Sequence, residues 1–141
     1  MSVTHGGNYR IFKWRLDGNI VRIQNTNGRK HAFELSDIYK IIRWLKTTFG
    51  KDWFPLANNV KLMGRGQEKD GLGIAILNLT HKDITHAQGS SYLGVVLEEV
   101  GIFVWNGKKK GIMWRIVKMP RSLDMLKKMV LSAQPNQQPA N

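Results

Sequence analysis

Between Tyr9 and Leu35 the apolar and polar positions alternate. Phe12, Trp14 and Leu16 fall on one face of an extended segment and Lys13 and Arg15 on the other, the period of a half-buried strand. Asp17-Gly18 and Asn27-Gly28 are hairpin turn signals. Residues 20–24 and 30–35 are therefore expected as the second and third strands of an antiparallel meander. After Ser36-Asp37, which read as a helix cap, the period lengthens. Ile38, Ile41, Ile42, Leu45 and Phe49 recur at helical spacing, and Gly50 ends the stripe. Trp44, beside that stripe, reads as a core residue. Pro55 predicts the first turn of a short helix over residues 56–63, broken by Gly64-Arg65-Gly66. Asp70 reads as the cap of a helix over residues 71–79. A buried strand over 72–79 is the alternative, because so short an apolar run has no decisive period.

The second half repeats the change of period. Asp83 or Thr85 caps a helix whose apolar stripe is Tyr92, Leu93, Val96, Leu97 and Val100, and Gly101 stops it. Residues 102–105 read as a strand, Asn106-Gly107 opens a turn carrying Lys108, Lys109 and Lys110, and residues 112–117 read as the return strand. Met119-Pro120 stops the sheet, and Ser122 caps a last helix with Leu123, Leu126 and Val130 on one side. Residues 1–8, with Gly6-Gly7, are expected to be flexible, and the polar, proline-containing residues 132–141 to be disordered. The meander (9–35) and the helical region with its hairpin (36–131) are expected to form one compact unit.

A helix with a polar first half, a glycine stop and a lysine-tipped hairpin resembles the recognition helix and wing of winged helix-turn-helix DNA-binding domains, over residues 70–117. The resemblance implies that a helix over about 85–100 enters the major groove by its N-terminal half, where no acidic side chain follows the cap. Thr85, His86, Gln88, Ser90 and Ser91 are then the contact residues; Gln pairs bidentately with adenine, and Ser reaches base edges or phosphates. The wing, residues 105–112, carries Lys108, Lys109 and Lys110, which with Arg115 would neutralise phosphates. Lys13, Arg15 and Arg22 on the open face of the meander are a further candidate contact, weighed against an ordinary solvated sheet face.

Charge gives this pattern a partner. The 141 residues hold 22 Lys and Arg against 10 Asp and Glu, a formal charge of +12, with a pI near 10.2. Such a field favours an anionic partner, of which nucleic acid is the commonest. The absence of cysteine excludes disulfides and thiolate metal sites. No apolar run reaches membrane-spanning length and residues 1–10 lack a signal-peptide core, so a cytoplasmic protein is expected, nucleoid-associated if bacterial. His81 and His86 stand five apart, off the spacing of a helical zinc pair, and the acids are scattered, so neither a metal, a cofactor nor a catalytic group is expected. Neither Gly64-Arg65-Gly66 nor Gly71-Leu72-Gly73 has the spacing of a phosphate-binding loop.

Together these readings predict a small α+β protein: an N-terminal three-stranded antiparallel meander, winged-helix-like helices and a C-terminal β-hairpin wing. Its expected function is binding duplex DNA as a transcriptional regulator or accessory factor. Two alternatives stay open. One is single-stranded DNA or RNA binding by basic sheet faces and their aromatics, Trp14 and Trp105. The other is a protein-interaction module or inhibitor docking on an acidic partner. The last helix, residues 123–131, is a candidate homodimer contact or packs on its own domain.

Overall fold

In the computed structural model, which describes residues 1–80 and 84–135, the alternation of residues 9–35 becomes the expected meander. Strands β2 (Ile11–Asp17), β3 (Ile20–Asn25) and β4 (Lys30–Glu34) pair antiparallel, with Trp14 opposite Ile23 and Ile23 opposite His31. Phe12, Trp14, Val21, Ile23 and Phe33 point inward and are buried. The N-terminus differs from expectation. Residues Ser2–Val3 form β1, which pairs with β2 (Ser2 opposite Phe12), so the sheet has four strands in the order β1-β2-β3-β4. Two residues are too few to carry a period, which is why residues 1–8 read as flexible.

Helix α1 (Leu35–Phe49) buries Leu35, Ile38, Ile41, Ile42 and Leu45, and it ends at Gly50, whose φ is 62°. Its cap residue is Glu34, which makes no capping hydrogen bond. Ser36 and Asp37 lie inside the first turn rather than capping it, and the Asp37 carboxylate there suits the positive end of the helix. Trp44 is half-buried against Phe49. Pro55 does not open a helix. Residues Phe54–Pro55 form β5, an edge strand that tolerates a residue without a backbone N–H, and the short helix α2 (Val60–Gly64) starts later, capped by Asn59. Residues Leu72–Leu79 are helical (α3), not a strand, and Gly71 rather than Asp70 stands at its start. A side chain at Gly71 or Gly73 would collide with the backbone of Pro55 or Ala57, and Gly73 N–H donates to the Leu56 carbonyl at 2.8 Å. Those two glycines let the helix start press against the β5 segment.

The helix expected over 85–100 is two helices, α4 (Ile84–Gln88) and α5 (Ser90–Val100), which meet at Gly89. A side chain at Gly89 would strike His31 and Phe33 of β4. The expected cap Asp83 and His81 lie outside the described residues. Gly101, with φ of 92°, closes α5 as expected. Strands β6 (Phe103–Trp105) and β7 (Met113–Ile116) form the hairpin and pair with β5 in the order β5-β7-β6. Helix α6 (Leu123–Ala133), capped by Ser122, packs Leu126 and Val130 onto the core. It runs past the expected boundary at residue 131, so Ser132 and Ala133 are helical rather than disordered, and Gln134 accepts a hydrogen bond from Leu16 N–H; residues 136–141 lie outside the described residues.

The two sheets meet across α5. Tyr92 packs edge-on to Phe12 at 5.1 Å, and its hydroxyl accepts from Asn25 of β3. Gly94 lies against the Trp114 ring of β7. At about 100° per residue, positions 92 and 94 lie on opposite sides of a helix. Glu99, on the Tyr92 side, accepts from the Trp14 indole N–H at 3.3 Å. Glu98, on the Gly94 side, faces Trp105 and Trp114 through His5. The four-stranded sheet therefore covers one side of α5 and the three-stranded sheet the other. Gly94→Ala should cost about 1–3 kcal/mol, because the added methyl must displace a buried tryptophan ring; a urea midpoint unchanged from the parent would contradict this packing.

Candidate nucleic-acid interface

The hairpin joining β6 to β7 is tipped by a loop held by its own polar groups. Asn106 Oδ1 accepts from Lys108 N–H at 3.2 Å, its Nδ2 donates to the Gly111 carbonyl, and the Trp105 indole donates to the Lys108 carbonyl. Gly107 and Gly111 both take positive φ, which the tight path requires. The loop presents Lys108, Lys109 and Lys110, all exposed. Its base is fastened from the far end of the chain. The His5 ring stacks on Trp105 with centroids 3.6 Å apart, and its Nε2 meets Glu98 Oε2 at 2.6 Å. Burial raises the Glu98 pKa above its ordinary value, and the bond to His5 offsets part of that rise.

Arg115 is exposed on β7, opposite Val104, with its guanidinium 5.1 Å from the half-exposed Trp53 ring. Lys13, Arg15 and Arg22 stand together on the outer face of the four-stranded sheet, where the sequence pattern puts them. The pairing sets Lys13 level with Gln24 and Lys30, and Arg15 level with Arg22 and Ala32. Lys30 thus joins the group, a member that the sequence alone did not single out. Its strand position opposite Gln24 was the available signal. Asp17 takes 2.8 Å from Arg22 Nε and lies 3.9 Å from Arg15, which lowers its pKa. Among the described residues these are the ion pairs that Lys and Arg form, so most of the positive charge is not neutralised within the fold.

The groove-reading helix is placed differently from expectation. Residues 92–97 of α5 are buried all round, between the two sheets, so no face of that segment is open to a groove. Ser90 is 0% exposed, and its hydroxyl has no hydrogen-bond partner among the described residues. That removes it as a base contact. Ser91 is half-buried beside it. The short α4 stays at the surface with Thr85 exposed, but its polar side chains turn toward the meander. His86 Nε2 lies 3.1 Å from the Ala32 carbonyl and Gln88 Oε1 accepts from Arg29 at 2.9 Å. Of the aromatic candidates, Trp14 is 1% exposed and Trp105 lies under His5, while Tyr9 and Trp53 stay exposed.

No protein-family model matches this chain, nor does any curated protein or solved structure. Among the described residues no group of His, Asp and Glu is arranged to hold a metal ion, and no helix is long and apolar enough to cross a membrane. On α6, Leu126 and Val130 face the protein's own core, while Leu123, Met125 and Leu131 remain exposed.

One buried imidazole ties this region to pH. His31 is buried beside Tyr92 and Gly89, and its pKa is lowered from 6.5 by burial first, then by Arg29 and His86. A lowered folded-state pKa means that the unfolded chain binds the proton more readily. The stability this group contributes is complete above about pH 6.5 and falls as pH drops below it. Glu98, raised from 4.5 by burial, acts in the opposite sense. The urea midpoint should fall between pH 7 and 5.5, and His31→Gln should flatten that slope; an equal slope in the variant would remove His31 as its source.

Proposed function

We propose that this protein binds double-stranded DNA, as a regulator or accessory factor, by neutralising backbone phosphates. The lysine loop of the β6–β7 hairpin takes the part of a wing. The observation that carries this reading is the loop itself: three adjacent lysines, exposed, without a carboxylate partner among the described residues, on a turn whose backbone is fixed by Asn106 and Trp105. A tip that buries nothing gains nothing for the fold from three cations. The order helix, strand, helices, hairpin, with β5 joined to β7, is compatible with the winged-helix resemblance.

The burial of α5 sets the mode. With Ser90 and residues 92–97 enclosed, base reading by that segment is not available, and affinity comes from phosphates, which position without specifying sequence. Single-strand binding by stacking is less well supported, because Trp14 and Phe12 face the core rather than the open side of their sheet.

Each lysine lost from a phosphate contact should lower the slope of log K against log salt by about one. Changing Lys108, Lys109 and Lys110 together to Ala should therefore reduce the slope on a random duplex by about two to three, with folding little altered. Fluorescence anisotropy over a salt series reads this directly. An unchanged slope would refute the wing assignment. Enrichment of a strong motif from random duplexes would refute binding through phosphates alone.

A further inference from the structure

We infer that the outer face of the four-stranded sheet is a second duplex-binding surface, set on the opposite side of the molecule from the three-stranded sheet, so that one chain bridges two duplexes. This rests on the nucleic-acid reading above and extends it to the number of partners held.

The face is built for phosphate. Strands lie about 4.8 Å apart and same-face residues about 7 Å apart along a strand. Lys13 and Lys30, on either side of Gln24, are thus spaced by about 10 Å at their bases, with Arg15 and Arg22 one row further on. These side chains line a groove of about 880 Å³ that also reaches Met1 and Pro135. Phe12, Trp14 and Phe33 point to the other side of the sheet, so beside the exposed Val3 and Ile11 this face offers an anionic polymer cations and an amide, suited to a backbone rather than to bases. Its negative charge is gathered at one end: Asp17, opposite Ile20, and Glu34, also opposite Ile20. Asp17 is spent on Arg22 and Arg15, which leaves Lys13 and Lys30 free of carboxylates among the described residues.

Geometry then separates the two surfaces. The four-stranded sheet packs on the Tyr92 side of α5 by its inner face, so its outer face looks away from that helix. The sheet that bears the lysine loop packs on the Gly94 side. The lysine loop lines a different groove, with Asn58, Asn59 and Asp70. Duplex DNA is stiff, with a persistence length of about 150 base pairs. A short duplex seated on one surface does not curl around so small a protein to reach the other, and the free surface is open to a second duplex.

The test uses the full chain, one random 30-base-pair duplex fixed to beads and a fluorescent copy in solution. Anisotropy with the fluorescent duplex alone measures simple binding. Wild-type protein should retain the fluorescent duplex on the beads. Lys13→Ala with Lys30→Ala spares the Asp17 pairs. It should bind a single duplex still, yet cut retention at least tenfold, as should the triple change of Lys108, Lys109 and Lys110 to Ala. Wild-type binding in solution without retention on beads would overturn bridging and leave the function proposed above intact. Retention by both variants at the wild-type level would mean that bridging comes from self-association, which also overturns it. Absence of any duplex binding would overturn both readings.

Discussion

A helical segment that is apolar on every side has to be covered on every side, and residues 92–97 of α5 impose that demand on the rest of the chain. Tyr92, Leu93, Val95, Val96 and Leu97 leave no polar stripe for water. Gly94 admits the Trp114 ring on one flank, and Tyr92 meets Phe12 and Asn25 on the other. The N-terminal sheet is thus part of the core of the hairpin region, not an attachment to it. Even β1 serves this enclosure: it leads His5 from the edge of one sheet to Trp105 of the other, past the end of α5.

Much of this was readable in the residues because local chemistry decided it. Phe12, Trp14 and Leu16 alternate with Lys13 and Arg15 strongly enough to fix both the strand and its facing. Asp17-Gly18 and Asn27-Gly28 fix the turns, and Ile38 to Leu45 fix the helix and its buried side. What escaped was decided by contacts distant in sequence. Gly89 stands where α4 and α5 meet, with His31 and Phe33 so close that no larger side chain fits, and those two neighbours lie far from it in sequence. Pro55 joins a strand because β7 passes beside it, and Ser36 yields the cap position because Leu35 is already needed in the core. The candidate site divides in the same way. Lys108, Lys109 and Lys110 were legible because a hairpin tip is exposed wherever the hairpin goes. Ser90 was misleading because polar residues near a helix start are usually open to solvent, and only the folded sheet shows that this one is not.

Part of the negative charge is engaged within the fold. Glu98 and Glu99 turn toward His5 and the Trp14 indole, and Asp17 lies between two arginines. These contacts leave the formal charge at +12, since each carboxylate still subtracts one from the cations. A field of that sign favours an anionic partner at long range.

The ends of the four-stranded sheet carry a consequence for crowding. At one edge β1 is two residues long, and at the other the Ala32 carbonyl is met by His86 from α4. An open strand edge is a template on which another chain can add itself, and a protein drawn to high local density along a nucleic-acid lattice would meet its own copies constantly. Here His86 meets the Ala32 carbonyl on one edge and Gln134 takes the Leu16 N–H on the other, beside the short β1, so part of each edge is already engaged. Under the proposed function, molecules gathered on one duplex would stay separate particles rather than fuse into a continuous β-sheet, and their clustering would be as reversible as the ionic contacts that cause it.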